Sequence, residues 1–219
     1  MVFINFKTYE QGTGVNALSL AEILEEVAHV TQIKIIPVVQ AGDVKEVTEV
    51  STLEIWVQHV DSVEFGAHTG SILAEAVQED GAVGTFLNHS EHKFAKFEDL
   101  EGASKHAREV GLKTLIFAAN LNELEKILPL KPTYAAYEPP ELVGSTKTSV
   151  AESKPDVISK AYEITRARDI PLIVGAGVKS QEDIRTSLRL GAVGVAVASD
   201  IVKAQDPKKE LLELLQGFV

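Results

Sequence analysis

Glu138 closes a short apolar run, Thr133 to Tyr137, and two prolines follow it. Pro139 and Pro140 each fix their own φ and push the residue before them towards an extended conformation. The loop beyond carries Val143, Gly144, Ser145, Thr146 and Thr148. A carboxylate at the end of a buried strand, beside a loop that could close over it, suits a general base working under a cover. An isolated glutamate more often only opens a loop, because acids are mostly exposed. The weight therefore falls on what else the chain can bring to the same place. Lys7 and Asn5 lie near the start, and His89, Ser90 and Glu91 stand together in NHSEH. Glycine-rich backbone recurs at Gly175-Ala176-Gly177, and Ala198-Ser199 opens a candidate short helix, 199–202. A base that removes a proton next to a carbonyl needs partners that stabilise the enediolate. Backbone N–H groups in glycine turns and at helix starts suit phosphate.

These groups belong to a chain that alternates strand and helix. Strand-like apolar runs are expected at 2–6, 33–39, 54–60, 82–87, 112–118, 133–137, 170–174 and 192–198. Helical spacing predicts helices over 17–30, 43–50, 69–78, 97–110, 121–128, 155–168, 180–190 and 207–215, with Asp43 and Thr69 as caps. Gly111 and Gly191 suit helix ends, Pro129 a helix stop, and Pro155 a first turn. Near-continuous apolar strands are those of a parallel sheet covered on both faces. Eight strand–helix units with short connections and no linker predict one α/β domain over 1–219, a (β/α)8 barrel. It is leaner than the roughly 250 residues usual for that fold. The competing open doubly wound sheet calls for a GxGxxG turn after the first strand, where this chain reads NFKTYEQGTG. A barrel of this kind puts its active site at the C-terminal ends of the strands. Asn5, Lys7, His89, Glu138, Gly177, Ala198 and Ser199 all fall there.

Composition narrows the partners. The 219 residues are 45 % hydrophobic and 24 % charged, a soluble globular mix. The net charge of −11 argues against nucleic acid, and an anionic substrate must be attracted locally. There is no cysteine, which excludes disulfides and thiolate metal sites. No apolar run approaches the ~20 residues of a membrane helix, and no leader pattern opens the chain, so a cytoplasmic location is expected. His89 and His92 flank Glu91 without the i, i+4 spacing of a helical zinc motif, so no metal and no cofactor are expected.

Six motifs occur in order: NFKTY, FGAHTG, NHSEH, AYEPPELVG, VGAGV and GVAVAS. Together they resemble the triosephosphate isomerase family, in its compact archaeal form, across essentially the whole chain. The resemblance implies a TIM barrel that interconverts dihydroxyacetone phosphate and glyceraldehyde 3-phosphate. It implies that Glu138 is the base, that His89 is a neutral electrophile, and that Lys7 and Asn5 hold the substrate. Glu91 would support these groups, and backbone around Val143, Gly144, Gly177, Ala198 and Ser199 would hold the phosphate. Thr69 would reach into a neighbouring subunit of a homo-oligomer, a tetramer before a dimer.

Three positions depart from the family pattern. Ser145-Thr146 replaces a glycine-containing hinge, His92 stands where a basic residue usually follows the HSE motif, and Asp200 replaces a small neutral residue. Two other readings stay open on the residues alone. A Schiff-base aldolase needs a desolvated lysine in a strand, for which only Lys34 and Lys113, near strand starts, are available. A non-catalytic binding barrel is the other.

Overall fold

Alternation along each strand sends one set of side chains inwards and the other towards the helices. In the computed structural model, which describes residues 1–139, 151 and 155–219, eight parallel strands close into a barrel in the order β1 to β8. They are β1 Val2–Asn5, β2 Ile35–Val39, β3 Trp56–Val57, β4 Gly84–Leu87, β5 Lys113–Ala118, β6 Tyr134–Tyr137, β7 Leu172–Val174 and β8 Gly194–Val197. The helices are α1 Val15–Thr31, α2 Val44–Val50, α3 Ala74–Glu79, α4 Phe97–Glu109, α5 Leu121–Ile127, α6 Pro155–Arg166, α7 Gln181–Arg189, α8 Ser199–Val202 and α9 Pro207–Leu215. The short helix expected at 199–202 is present as α8.

Two apolar cores follow from the alternation. Inside the barrel, Phe3, Ile36, Trp56, Phe86, Leu115, Phe117, Ala136 and Ile173 pack together. Phe3 sits edge-on to Trp56 at 5.1 Å and Phe86 edge-on to Phe117 at 4.8 Å, so aromatic rings fill the lumen. Outside it, Ile4, Val39, Ile116, Ala135 and Val195 meet helix residues such as Leu24, Ala103 and Ile158. Continuing the inward set by one step up each strand reaches Asn5, Gln58, Glu138 and Gly175. The fold therefore carries polar groups to the C-terminal mouth directly above an aromatic plug.

Several strands begin about two residues later than the apolar runs suggest, for one recurrent reason. Gly81, Gly111, Asp169 and Gly191 end their helices at positive φ. The residue after each turns its N–H back onto the helix: Ala82 to Val77 O, Leu112 to Ala107 O, Ile170 to Thr165 O and Ala192 to Ser187 O. That is the left-handed helix-ending turn, whose following apolar residue packs on the helix it terminates. Ala82, Leu112, Ile170 and Ala192 are thus buried as helix ends, not as strand residues.

Two expected caps are corrected. The Asp43 side chain does not cap α2; its Oδ1 accepts the Gly14 N–H at 3.1 Å, tying two βα loops together. Thr69 opens no helix. Residues 64–71 form an exposed excursion, and α3 starts only at Ala74. Elsewhere capping follows the local sequence: Ser180 and Asp183 form a reciprocal box, and Asn120 and Asp206 accept from the N–H groups of Glu123 and Lys209. Pro140, Val143, Gly144 and the Ser145-Thr146 hinge lie outside the described residues.

Candidate active site

Lys7 leaves β1 in a left-handed conformation, φ 49°, which is uncommon for a residue with a long side chain. Three contacts hold it there. Its N–H donates to Asn5 Oδ1 at 3.0 Å, its carbonyl accepts from Gln58 Nε2 at 2.9 Å, and its Nζ donates to Glu91 Oε1 at 2.7 Å. The Lys7 side chain is only 13 % exposed, so this cation is presented in a partly dried setting with one anionic partner.

His89 reaches the mouth of the barrel by a backbone irregularity. Strict alternation after Phe86 would turn Asn88 inwards and His89 outwards. Asn88 instead takes φ 60°, and its amide donates to Phe117 O at 3.0 Å and Glu123 Oε1 at 2.9 Å. That leaves His89 to line the cavity, its ring edge-on to Phe117 at 4.8 Å. Its Nδ1 accepts the Glu91 N–H at 3.2 Å. A neutral imidazole with Nδ1 accepting carries its proton on Nε2. Nε2 lies 3.3 Å from Glu138 Oε2.

Glu138 extends the inward set of β6 and is 6 % exposed. Its N–H bonds Ala118 O at 2.9 Å, and Ser90 Oγ donates to its Oε2, also at 2.9 Å. A buried carboxylate is costly without hydrogen-bond donors; Ser90 supplies one, and His89 Nε2 approaches to 3.3 Å. Gly175 packs beside it: a Cβ built there would lie 2.9 Å from Oε1.

One cavity collects Asn5, Lys7, His89, Glu138, Gly177, Ala198 and Ser199, with Phe86 and Phe117 beneath. A cation, an imidazole N–H donor and a carboxylate thus converge on one small volume with glycine-turn backbone at its far wall. Val143 and Gly144 lie outside the described residues, and Thr69 stands in the exposed excursion, away from this chain's own cavity. Asp200 is exposed at the start of α8, where it borders both this cavity and a neighbouring groove. Lys34 and Lys113, on which a Schiff-base reading depends, sit at the N-terminal ends of β2 and β5. Both are bound to Glu54, at 2.6 and 2.8 Å, at the opposite end of the barrel. Sequence reasoning gave no role to Ser90, Gln58, Phe117 and Asn88. Ser90 alone had a signal, a hydroxyl between two assigned residues; the others depend on which turn each strand makes at its end.

The family profile described as triosephosphate isomerase matches residues 1–217. Relatives of the same name include three from archaeal sources with full-length matches. The one from Metallosphaera sedula is 39 % identical, covering 100 % of this chain and 96 % of its own. That from Methanobacterium bryantii is also 39 % identical, over 98 % of this chain and 95 % of its own. The Methanocaldococcus jannaschii protein is 34 % identical over 99 % of each.

Proposed function

The chain belongs to the triosephosphate isomerase family, and we propose that Glu138, His89 and Lys7 divide its chemistry as base, electrophile and cation. The protein interconverts dihydroxyacetone phosphate and D-glyceraldehyde 3-phosphate, the step joining the two trioses in glycolysis and gluconeogenesis. The observation that carries the assignment of roles is the Glu91 N–H on His89 Nδ1 at 3.2 Å. Because Nδ1 is occupied by the Glu91 N–H, Nε2 is the proton-bearing atom that faces the cavity and Glu138.

The reaction then runs as follows. The substrate carbonyl accepts a hydrogen bond from Nε2–H, which lies 3.3 Å from Glu138 Oε2, and the Glu138 carboxylate removes a proton from the adjacent carbon. The electron pair moves onto the carbonyl oxygen as an enediolate. Nε2–H and the Lys7 ammonium stabilise that oxygen more strongly than the neutral carbonyl, which lowers the barrier. The pairing of a glutamate base with a neutral histidine is the established pattern of this enzyme. Proton exchange between the two substrate oxygens through Nε2, followed by return of the Glu138 proton to the neighbouring carbon, completes the isomerisation. No cofactor enters this balance. The phosphate is held by backbone N–H groups around Gly177, Ala198 and Ser199, with Val143 and Gly144 adding theirs, and Asn5 keeps Lys7 in place.

A second copy of the chain is the proposed partner. The 64–71 excursion exposes Phe65, 74 % accessible, together with Thr69. A groove of about 600 Å³ beside Lys7, lined by Tyr9, Gln40, Gln58, His59 and His92, has the room to receive it. The assembly expected is a homotetramer. No described helix is long and apolar enough to cross a membrane, and we place the enzyme in the cytoplasm. The test of the roles is Glu138→Asp in an isomerase assay coupled to a dehydrogenase. Withdrawing the carboxylate by ~1 Å should cost about 10²-fold in kcat. Near-unchanged turnover would remove Glu138 as the base.

A further inference from the structure

We propose that Glu123 is a positioning residue that holds the His89–Ser90–Glu91 turn by binding both of its ends. The inference rests on the reading of His89 as the electrophile. The Glu123 carboxylate, on α5, takes the Asn88 amide at 2.9 Å and the Lys93 ammonium at 2.9 and 3.0 Å. It also accepts the Ala119 N–H at 2.7 Å, which fixes it at the end of β5. Asn88 and Lys93 flank the segment that carries the imidazole, the hydroxyl on Glu138 and the carboxylate on Lys7. The segment is itself a tight turn, closed by the His92 N–H on His89 O at 2.8 Å.

The left-handed φ of Asn88 is what makes the clamp consequential. An asparagine tolerates that conformation better than most side chains, but it still needs local hydrogen bonds to hold it. Here both Asn88 amide protons are used, on Phe117 O and Glu123 Oε1. If the amide lost its carboxylate, alternation along β4 would favour returning Asn88 to the barrel and turning His89 away from it. Burial raises the Glu123 carboxyl, but Lys93, the Ala119 N–H and the Asn88 amide more than offset this and hold it below the usual range. The clamp is therefore charged at neutral pH. A carboxylate that anchors the groups which orient a catalytic side chain acts on geometry, and geometry is costly to lose: a misplacement of ~1 Å takes about 10²-fold from a rate.

The test separates positioning from folding. Lys93→Met removes one end of the clamp and leaves the Glu123 bonds at the start of α5 intact, so α5 keeps its cap. It should lower kcat about 3- to 10-fold with KM within about twofold, and Lys93→Arg should restore most of the loss. Glu123→Gln should lower kcat about tenfold or more, and combining it with Asn88→Gly should cost far less than the product of the two single losses, because both weaken the same Asn88–Glu123 contact. The proposal is overturned if Lys93→Met and Glu123→Gln keep kcat within twofold while remaining folded, if KM absorbs the change, or if the two losses simply multiply. His89→Gln is measured alongside. Retained turnover in that variant would sink the electrophile assignment itself, whereas its collapse beside unaffected clamp variants would sink only the clamp.

Discussion

Replacing Gly175 with alanine should slow the isomerase without unfolding it. Gly175 follows β7 with no positive φ, so its backbone accepts a Cβ. The added methyl would stand 2.9 Å from Glu138 Oε1 and 3.4 Å from both Cβ and Cγ of Glu138. Carbon contacts favour about 3.5 Å or more, so the carboxylate must retreat by roughly 0.5 Å, and the stem blocks retreat along its own axis. A full ångström costs about 10²-fold, so half of it should cost about tenfold in kcat, near 1.4 kcal/mol of barrier. The unfolded chain loses some freedom on gaining a Cβ, about 0.4–1 kcal/mol in favour of folding, which offsets the local crowding. The melting temperature should therefore stay within about 5 °C of the parent, since 1 kcal/mol moves a chain of this size by about 2–4 °C. The coupled assay gives kcat and KM, and calorimetry gives the melting temperature. A kcat within twofold of the parent, in a folded variant, would refute the reasoning, because it would mean that the position of Glu138 seen here is not the one from which turnover is set.

Two further outcomes follow from single residues. His59 is 8 % exposed against His92 and Phe94, and burial first, then the charge of His92, lower its pKa below the ordinary 6.5, with Asp61 acting in the opposite sense. Below pH 6.5 the unfolded chain therefore takes up a proton that the folded chain refuses, so stability should fall as pH drops from 6.5 towards the folded pKa. Melting curves between those limits should show a shallower slope in His59→Gln, and an unchanged slope would exclude His59 as the source. Asp200, exposed at the start of α8, should turn outwards from a bound phosphate, so Asp200→Gly should leave inorganic phosphate affinity within about twofold at moderate salt. A gain of about fivefold that fades as salt is added would show the carboxylate facing the ligand.

The barrel was legible because its strands are apolar on both faces and its helices are amphipathic, two periodicities that local sequence carries without help. Ends of elements were less so. Ala82, Leu112, Ile170 and Ala192 read as strand residues, yet each closes a helix, because a left-handed residue before it sends its N–H backwards. Asp43 has the side chain of a cap and spends it on Gly14, a partner 29 positions away.

The same division holds at the site. By itself the sequence determined which chemical groups lie at strand ends: a lysine, a histidine, a carboxylate and glycine-rich turns, placed there by strand spacing alone. It could not determine how they face. Lys7 and Asn88 both take left-handed backbone, and nothing in their types requires it. For Lys7 the cause, beside its local bond to Asn5, is Gln58 just after β3 and Glu91 beyond β4; for Asn88 it is Phe117 on β5 and Glu123 on α5. These partners are far along the chain, and the hydrogen bonds they offer outweigh the local backbone preference only after the barrel has closed. The direction of His89 and its 3.3 Å approach to Glu138 are therefore properties of the closed structure.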